Sequence, residues 1–178
     1  MAEVRPINKK LLAGAFLLYV ILLAWFILFR ANVPEFCGKY RGIELVPFAD
    51  KDNYVSATAK YLTQIGNVVL FVPAGLYFPL FLRQSRWPIR VAGSFALVLL
   101  LSLALEATQY ALTIGLSSMT DLLENGLGGI VGIILYESLK KVTPAKRIDA
   151  INLGTIIVAS PFCLVAIVNT LTHIHLYL

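Results

Sequence analysis

Charge is what this sequence has least of. Only 14% of its 178 residues are Asp, Glu, Lys or Arg, against roughly 25% in an average soluble domain, and that deficit excludes a soluble globule. Disorder is excluded too, because 58% of the residues are hydrophobic and a disordered chain needs the opposite balance. Two cysteines, Cys37 and Cys163, are too few for a disulfide scaffold, and twelve glycines without a period exclude a collagen-like repeat. The two histidines, His173 and His175, have no acidic or cysteine neighbour and make a poor ligand set, so no metal and no cofactor is expected. Segments of the type G-x-x-x-x-G-K, H-E-x-x-H and C-x-x-C are also missing. A net charge of +5 comes without an aromatic and basic stripe, which leaves no nucleic-acid footprint.

What the sequence has is long apolar runs. A hydrocarbon core about 30 Å thick needs about 20 such residues in a helix. Five runs qualify: Leu11–Phe29, Ile65–Leu82, Val91–Ile114, Leu122–Leu139 and Ala150–Leu171. The first is too long for a signal-peptide core and lacks a small-x-small cleavage site, so it reads as a retained anchor. The expected fold is an all-α membrane protein, five transmembrane helices in one bundle, forming a single domain over residues 1–178.

Basic residues set the expected orientation. Arg5, Lys9 and Lys10 precede the first run, Arg83, Arg86 and Arg90 follow the second, and Lys140, Lys141, Lys146 and Arg147 follow the fourth. These ten of the fifteen bases place the N-terminus inside and the C-terminus outside by the positive-inside rule. Trp87 beside Arg86 suits an aromatic anchor at the inner interface. In the first outer loop, Tyr54, Thr58, Tyr61, Leu62 and Ile65 follow a helical spacing, either a short surface helix or an ordinary connector. Cys37 and Cys163 differ in depth and read as free thiols.

Polar groups inside the runs cost free energy, about 2.5 to 3.5 kcal/mol for a charge at the bilayer centre. Ser102, Glu106, Gln109 and Thr113 share one face of the third run, and Asp121, Asn125, Gly128 and Gly132 share one face of the fourth. Gly128 and Gly132 form a small-xxx-small pair suited to close helix approach. Asn67 opens the second run, and Pro73 interrupts its hydrogen bonding. Asn67, Glu106, Gln109, Asp121 and Asn125 all fall in the outer half of the membrane, which predicts a polar pocket facing the outer leaflet; the alternative is that the amides only glue helices together. Asp121 and Glu124 also suit a helix N-terminus, and Glu137 is placed to pair with Lys140 or Lys141. A Ser117 with His173 dyad lacks any spacing motif in its favour.

Four blocks at these positions resemble the VanZ-like membrane protein family. They are Arg41-Gly-Ile-Glu-Leu-Val-Pro-Phe48, Gly66-Asn-Val-Val-Leu-Phe-Val-Pro-Ala-Gly75, Ser102 with Glu106 and Gln109, and Asp121-Leu-Leu-Glu-Asn-Gly-Leu-Gly128, a core spanning 41–132. The resemblance implies a small multi-pass protein of the bacterial cytoplasmic membrane, whose namesake is linked to low-level resistance to teicoplanin. It singles out Arg41, Pro47, Asn67, Pro73, Glu106, Gln109, Asp121, Asn125 and Gly128. It implies no particular enzymatic activity. Members often carry an Arg after the Gly preceding the last block, where this chain has Leu116 after Gly115. Either the corresponding contact is missing or Arg41 supplies it, and the departure argues against a resistance role.

The expected function is binding of an amphiphile, a cell-envelope lipid intermediate or lipoglycopeptide. Glu106 and Asp121 would meet its donor groups, Asn67, Gln109 and Asn125 would orient it, and Arg41 would meet an anionic head group. Two alternatives are an intramembrane enzyme using Glu106 and Asp121 as an acid and base and a structural membrane subunit. Membrane lipids are expected partners in every case.

Overall fold

The computed structural model describes residues 8–29, 40–48, 57–144, 147–159 and 164. Four long helices and two short strands follow in the order α1 (Lys9–Phe29), β1 (Tyr40–Glu44), α2 (Ala57–Phe81), α3 (Trp87–Leu112), β2 (Ile114–Ser118) and α4 (Met119–Val142). Residues 147–159 are helical as well. Among the described residues, four helices are long and apolar enough to cross a membrane. At 1.5 Å per residue even the 21 residues of α1 reach about 30 Å. The second half of the expected fifth span, from residue 160 except Leu164, lies outside the described residues, as do Tyr54, Cys37, Cys163, His173 and His175.

Local chemistry explains where the helices stop. Pro88 sits in the first turn of α3, where a missing N–H leaves no carbonyl without a partner. Thr113 ends α3 in the left-handed region at φ 54° and ψ 37°, its N–H returning to the carbonyls of Gln109 and Tyr110. Ser118 caps α4, its hydroxyl accepting from the N–H of Thr120. Asp121 in the first turn and Lys140 and Lys141 in the last complement the dipole of α4.

α2 is the hub of the bundle. The helix starts at Ala57, ahead of its apolar stretch Thr63–Phe81, so Tyr61 belongs to the same helix and not to a separate surface helix. α4 lies against α2 in parallel, with Gly128 beside Val68 and Gly132 beside Val72. A Cβ on Gly128 would sit 2.1 Å from the Val68 carbonyl oxygen, and one on Gly132 2.2 Å from that of Val72. The two backbones are therefore in contact, which only glycine permits here. On the far side of α2, Phe16 of α1 stacks on Tyr77 with ring centroids 3.9 Å apart. Tyr19 donates its hydroxyl to the Leu70 carbonyl, in the turn before Pro73. Ile148 packs with Leu76 and Tyr136, fastening the helical residues 147–159 to α2 and α4.

Two short strands add to the all-helical bundle. β1 and β2 pair in parallel, Tyr40 with Ile114 through Glu44 with Ser118, where the sequence suggests only a loop and a turn. Both follow helices that finish at the same end of the bundle, and the crossover that a parallel pair requires is supplied by α2 and α3. This strand end is opposite a basic end carrying Arg83, Arg86, Arg90, Lys140, Lys141 and Arg147. At the basic end Arg83 bonds Asp149 at 2.5 Å. Glu137 corrects another expectation, because it pairs with Arg90 of α3 and not with its own helix's lysines.

Candidate polar site at the strand end

α3 and α4 cross in antiparallel register. Asn125 donates to the Ser102 hydroxyl at 2.9 Å, and Val98 faces Gly129 four residues further along each helix. One turn the other way, the same register brings Glu106 and Asp121 to one level. Asn67 of α2 completes that level, its amide nitrogen donating to Asp121 Oδ1 at 2.9 Å and to Glu124 Oε2 at 2.8 Å. Asn67, Glu106 and Glu124 are all buried, exposed by 2%, 5% and 6%. Asn67 thus joins the carboxyl groups of Asp121 and Glu124 where the helices meet the strands, with Glu106 at the same level on the cap of α4.

Glu106 serves β2 directly. Its Oε2 accepts from the Ser118 N–H at 2.8 Å, while its backbone carbonyl accepts from the Ser117 hydroxyl at 2.7 Å. Ser117 is thereby engaged with a backbone acceptor. Gln109 turns away from the cluster, donating to the Ile27 carbonyl of α1 at 3.0 Å. That carbonyl belongs to the last turn of α1, where helical partners run out. The remaining oxygens of Gln109 and Asn125, both buried, have no hydrogen-bond partner among the described residues. Arg41 lies on β1 opposite Gly115; its side chain is outside the described residues. No group of three or more metal-ligating side chains forms among the described residues.

Of the expected set the structure brings together Asn67 and Asp121, sets Glu106 on the Ser118 N–H at the start of α4, places Asn125 one turn deeper, and sends Gln109 to α1. It adds Glu124, which sequence reasoning assigns only to helix capping. The available signal is that Glu124 is an ionisable residue inside an apolar run, where function is the default reading.

Beside this cluster the faces of α2 and α4 leave a groove of about 470 Å³ lined by Phe48, Ile65, Val68, Leu123, Glu124 and Leu127. Its walls are apolar apart from Gln64 and Glu124, and Glu124 is its acid. Phe48 is held over it in an uncommon backbone conformation, φ 56°, by an N–H donated to the Thr120 hydroxyl at 2.8 Å.

Four apolar helices, two of them packed through backbone contact, with polar groups confined to their interior and ends, define a multi-pass helical membrane protein. The family model described as VanZ/LLP1 matches residues 16–140. Protein VanZ of Enterococcus faecium is 31% identical over 147 residues, covering 81% of this chain and 84% of that protein. No solved structure gives a significant match. The chain belongs to the VanZ/LLP1 family.

Proposed function

We propose that this protein binds an amphiphile of the bacterial cell envelope at the strand end of its bundle, taken by the positive-inside rule as the outer face of the cytoplasmic membrane. The apolar part of the ligand lies along Phe48, Ile65, Val68, Leu123 and Leu127, and its polar part meets the carboxyl cluster through Glu124. The observation that carries this is the position of Glu124, a buried carboxyl in the wall of a lipid-facing apolar groove, joined by Asn67 to Asp121. Apolar walls with a few convergent polar groups are the usual make-up of a small-molecule site. Phe48 adds support, since backbone held in a sparsely populated region concentrates at ligand clamps.

Carboxyl groups select donors. Hydroxyls of a sugar or an amine on the head group fit Asp121, Glu124 and Glu106, and an anionic portion would fall to Arg41 of β1. A lipoglycopeptide, or a lipid-linked saccharide of the envelope, combines these features with an acyl or prenyl chain. A resistance role toward such an antibiotic would follow from its capture at this groove.

Photoaffinity labelling tests this. Diazirine-tagged teicoplanin-type lipoglycopeptide and a diazirine-tagged polyprenyl-linked saccharide are each offered to the purified protein in vesicles. At least one is expected to label the Phe48 and Leu123 region, with labelling falling roughly tenfold in Glu124→Gln, the size of one lost charge-assisted hydrogen bond. Labelling by neither probe, or unchanged labelling in Glu124→Gln and Leu123→Trp, would dismiss the groove.

A further inference from the structure

The opposite end of the bundle holds a second groove that the amphiphile site does not use. It lies between α3 and α4, about 430 Å³ in volume, and is lined among others by Trp87, Val91, Ala92, Phe95, Ile130 and Ile134. Its lining is wholly apolar, and Trp87 and Ile134 are exposed by 61% and 58%. Such an apolar face on a membrane helix is ordinary. The charges at its mouth are not.

Arg86 immediately precedes Trp87 and is exposed. On α4 the groove face runs Ile130, Ile134, Ser138, Lys141, at steps of four, four and three, so that Lys141 stands at the end of the same stripe. Lys141 is exposed as well. Among the described residues the acids of this end are already taken, Glu137 by Arg90 and Asp149 by Arg83, and neither Arg86 nor Lys141 has an acidic partner there. Two uncompensated cations thus flank an apolar slot capped by an interfacial Trp, at the depth where lipid phosphates sit.

We infer that this slot is a binding site for an anionic glycerophospholipid of the inner leaflet, its phosphate between Arg86 and Lys141 and one acyl chain between α3 and α4. Charge complementarity selects the occupant. A zwitterionic lipid would bring a third cation to a mouth that holds two, whereas an anionic one brings only the negative charge that neutralises them. A guanidinium and an ammonium match a phosphate diester as fork and point charge. The site is independent of the strand-end groove, so either can fail without the other.

Native mass spectrometry of the full-length protein, released from detergent with phosphatidylglycerol or phosphatidylcholine of matched chains, tests the assignment. Phosphatidylglycerol is expected to be retained roughly tenfold to thirtyfold better, as two cations near an anionic head group imply. The double variant Arg86→Gln with Lys141→Gln should bring the two lipids level, while Ala92→Phe, which fills the slot, should lower retention of both. The charge variants lie on the surface, and an unchanged melting temperature establishes that they fold. Equal retention of the two lipids by the unaltered protein overturns the proposal, as does a preference that survives the double variant. A dimer that Ala92→Phe abolishes, without any lipid preference, would assign the slot to a second copy of the chain instead.

Discussion

Arg90 and Glu137 face each other through two parallel hydrogen bonds, Nε to Oε1 at 2.6 Å and Nη2 to Oε2 at 2.8 Å. The pair stands twelve residues from Ser102 on α3 and twelve from Asn125 on α4, so it continues the antiparallel register that the Ser102 and Asn125 bond and the Val98 and Gly129 contact define. α3 and α4 are pinned by the ion pair at the basic end and by the Asn125 to Ser102 hydrogen bond toward the strand end. That register is what brings Glu106 level with Asp121.

The ion pair is nearly closed to solvent, with Arg90 and Glu137 side chains exposed by 6% and 14%. Removing one partner strands the other, so Arg90→Leu or Glu137→Leu alone should cost about 3 to 5 kcal/mol. The double variant Arg90→Leu with Glu137→Leu should be more stable than either single one, because no charge is left without its counterpart. Denaturant unfolding of the four proteins in one detergent measures this, and additive losses would show that the two residues do not act as a pair.

Asn67 makes a comparable prediction at the strand end. Its single amide nitrogen serves both Asp121 and Glu124. Asn67→Leu withdraws two charge-directed hydrogen bonds, one from buried Glu124 and one from half-buried Asp121, each worth about 1.5 to 3 kcal/mol. Introducing Glu124→Gln into Asn67→Leu should recover part of the loss, since Gln is neutral and can donate. Melting curves for the two variants against the unaltered protein decide it; no recovery would mean that Asn67 matters through its packing alone.

Much of the bundle was legible from hydropathy. The expected spans Val91–Ile114 and Leu122–Leu139 correspond to α3 and α4 within four residues at each end, because apolar length dominates where the solvent is hydrocarbon. Face periodicity also put Ser102 and Glu106, and Asp121 and Asn125, on common stripes. What escaped were relations that depend on how helices are turned against one another. Glu137 has lysines three and four residues away in sequence, yet the register of α3 places Arg90 opposite it. Gln109 shares a stripe with Glu106 but lies one turn nearer the end of α3, where the unpaired carbonyl of Ile27 on α1 is within reach. β2 was missed because five residues, Ile114-Gly-Leu-Ser-Ser, carry too little alternation to announce a strand, and its partner is more than seventy residues earlier.

Gln109 is the side chain that ties the last turn of α1 to α3. Replacing it by Leu keeps the volume and removes the donor, leaving the Ile27 carbonyl without that bond. Gln109→Leu should therefore raise amide exchange at the end of α1, with a global loss of only about 1 kcal/mol. Hydrogen exchange followed by mass spectrometry reads the two effects separately. Unchanged exchange over residues 25–29 would count against the tie.

Backbone contact between α2 and α4 gives the strongest contrast. At Gly132 a methyl group would stand 2.2 Å from the Val72 carbonyl oxygen and 2.7 Å from the Leu76 nitrogen, both main-chain atoms that no rotamer change can move. Gly132→Ala must push the two helices apart, and with them the groove wall formed by Val68 and Leu127. At Gly66, also in α2, a methyl group would meet nothing within 4 Å, and the same change there should stabilise the helix by about 0.5 to 1 kcal/mol through the unfolded chain. Overpacking of this kind costs about 1 to 3 kcal/mol or more, so the two alanine variants should move the melting temperature in opposite directions. If Gly132→Ala were as stable as Gly66→Ala, α2 and α4 could not be in backbone contact.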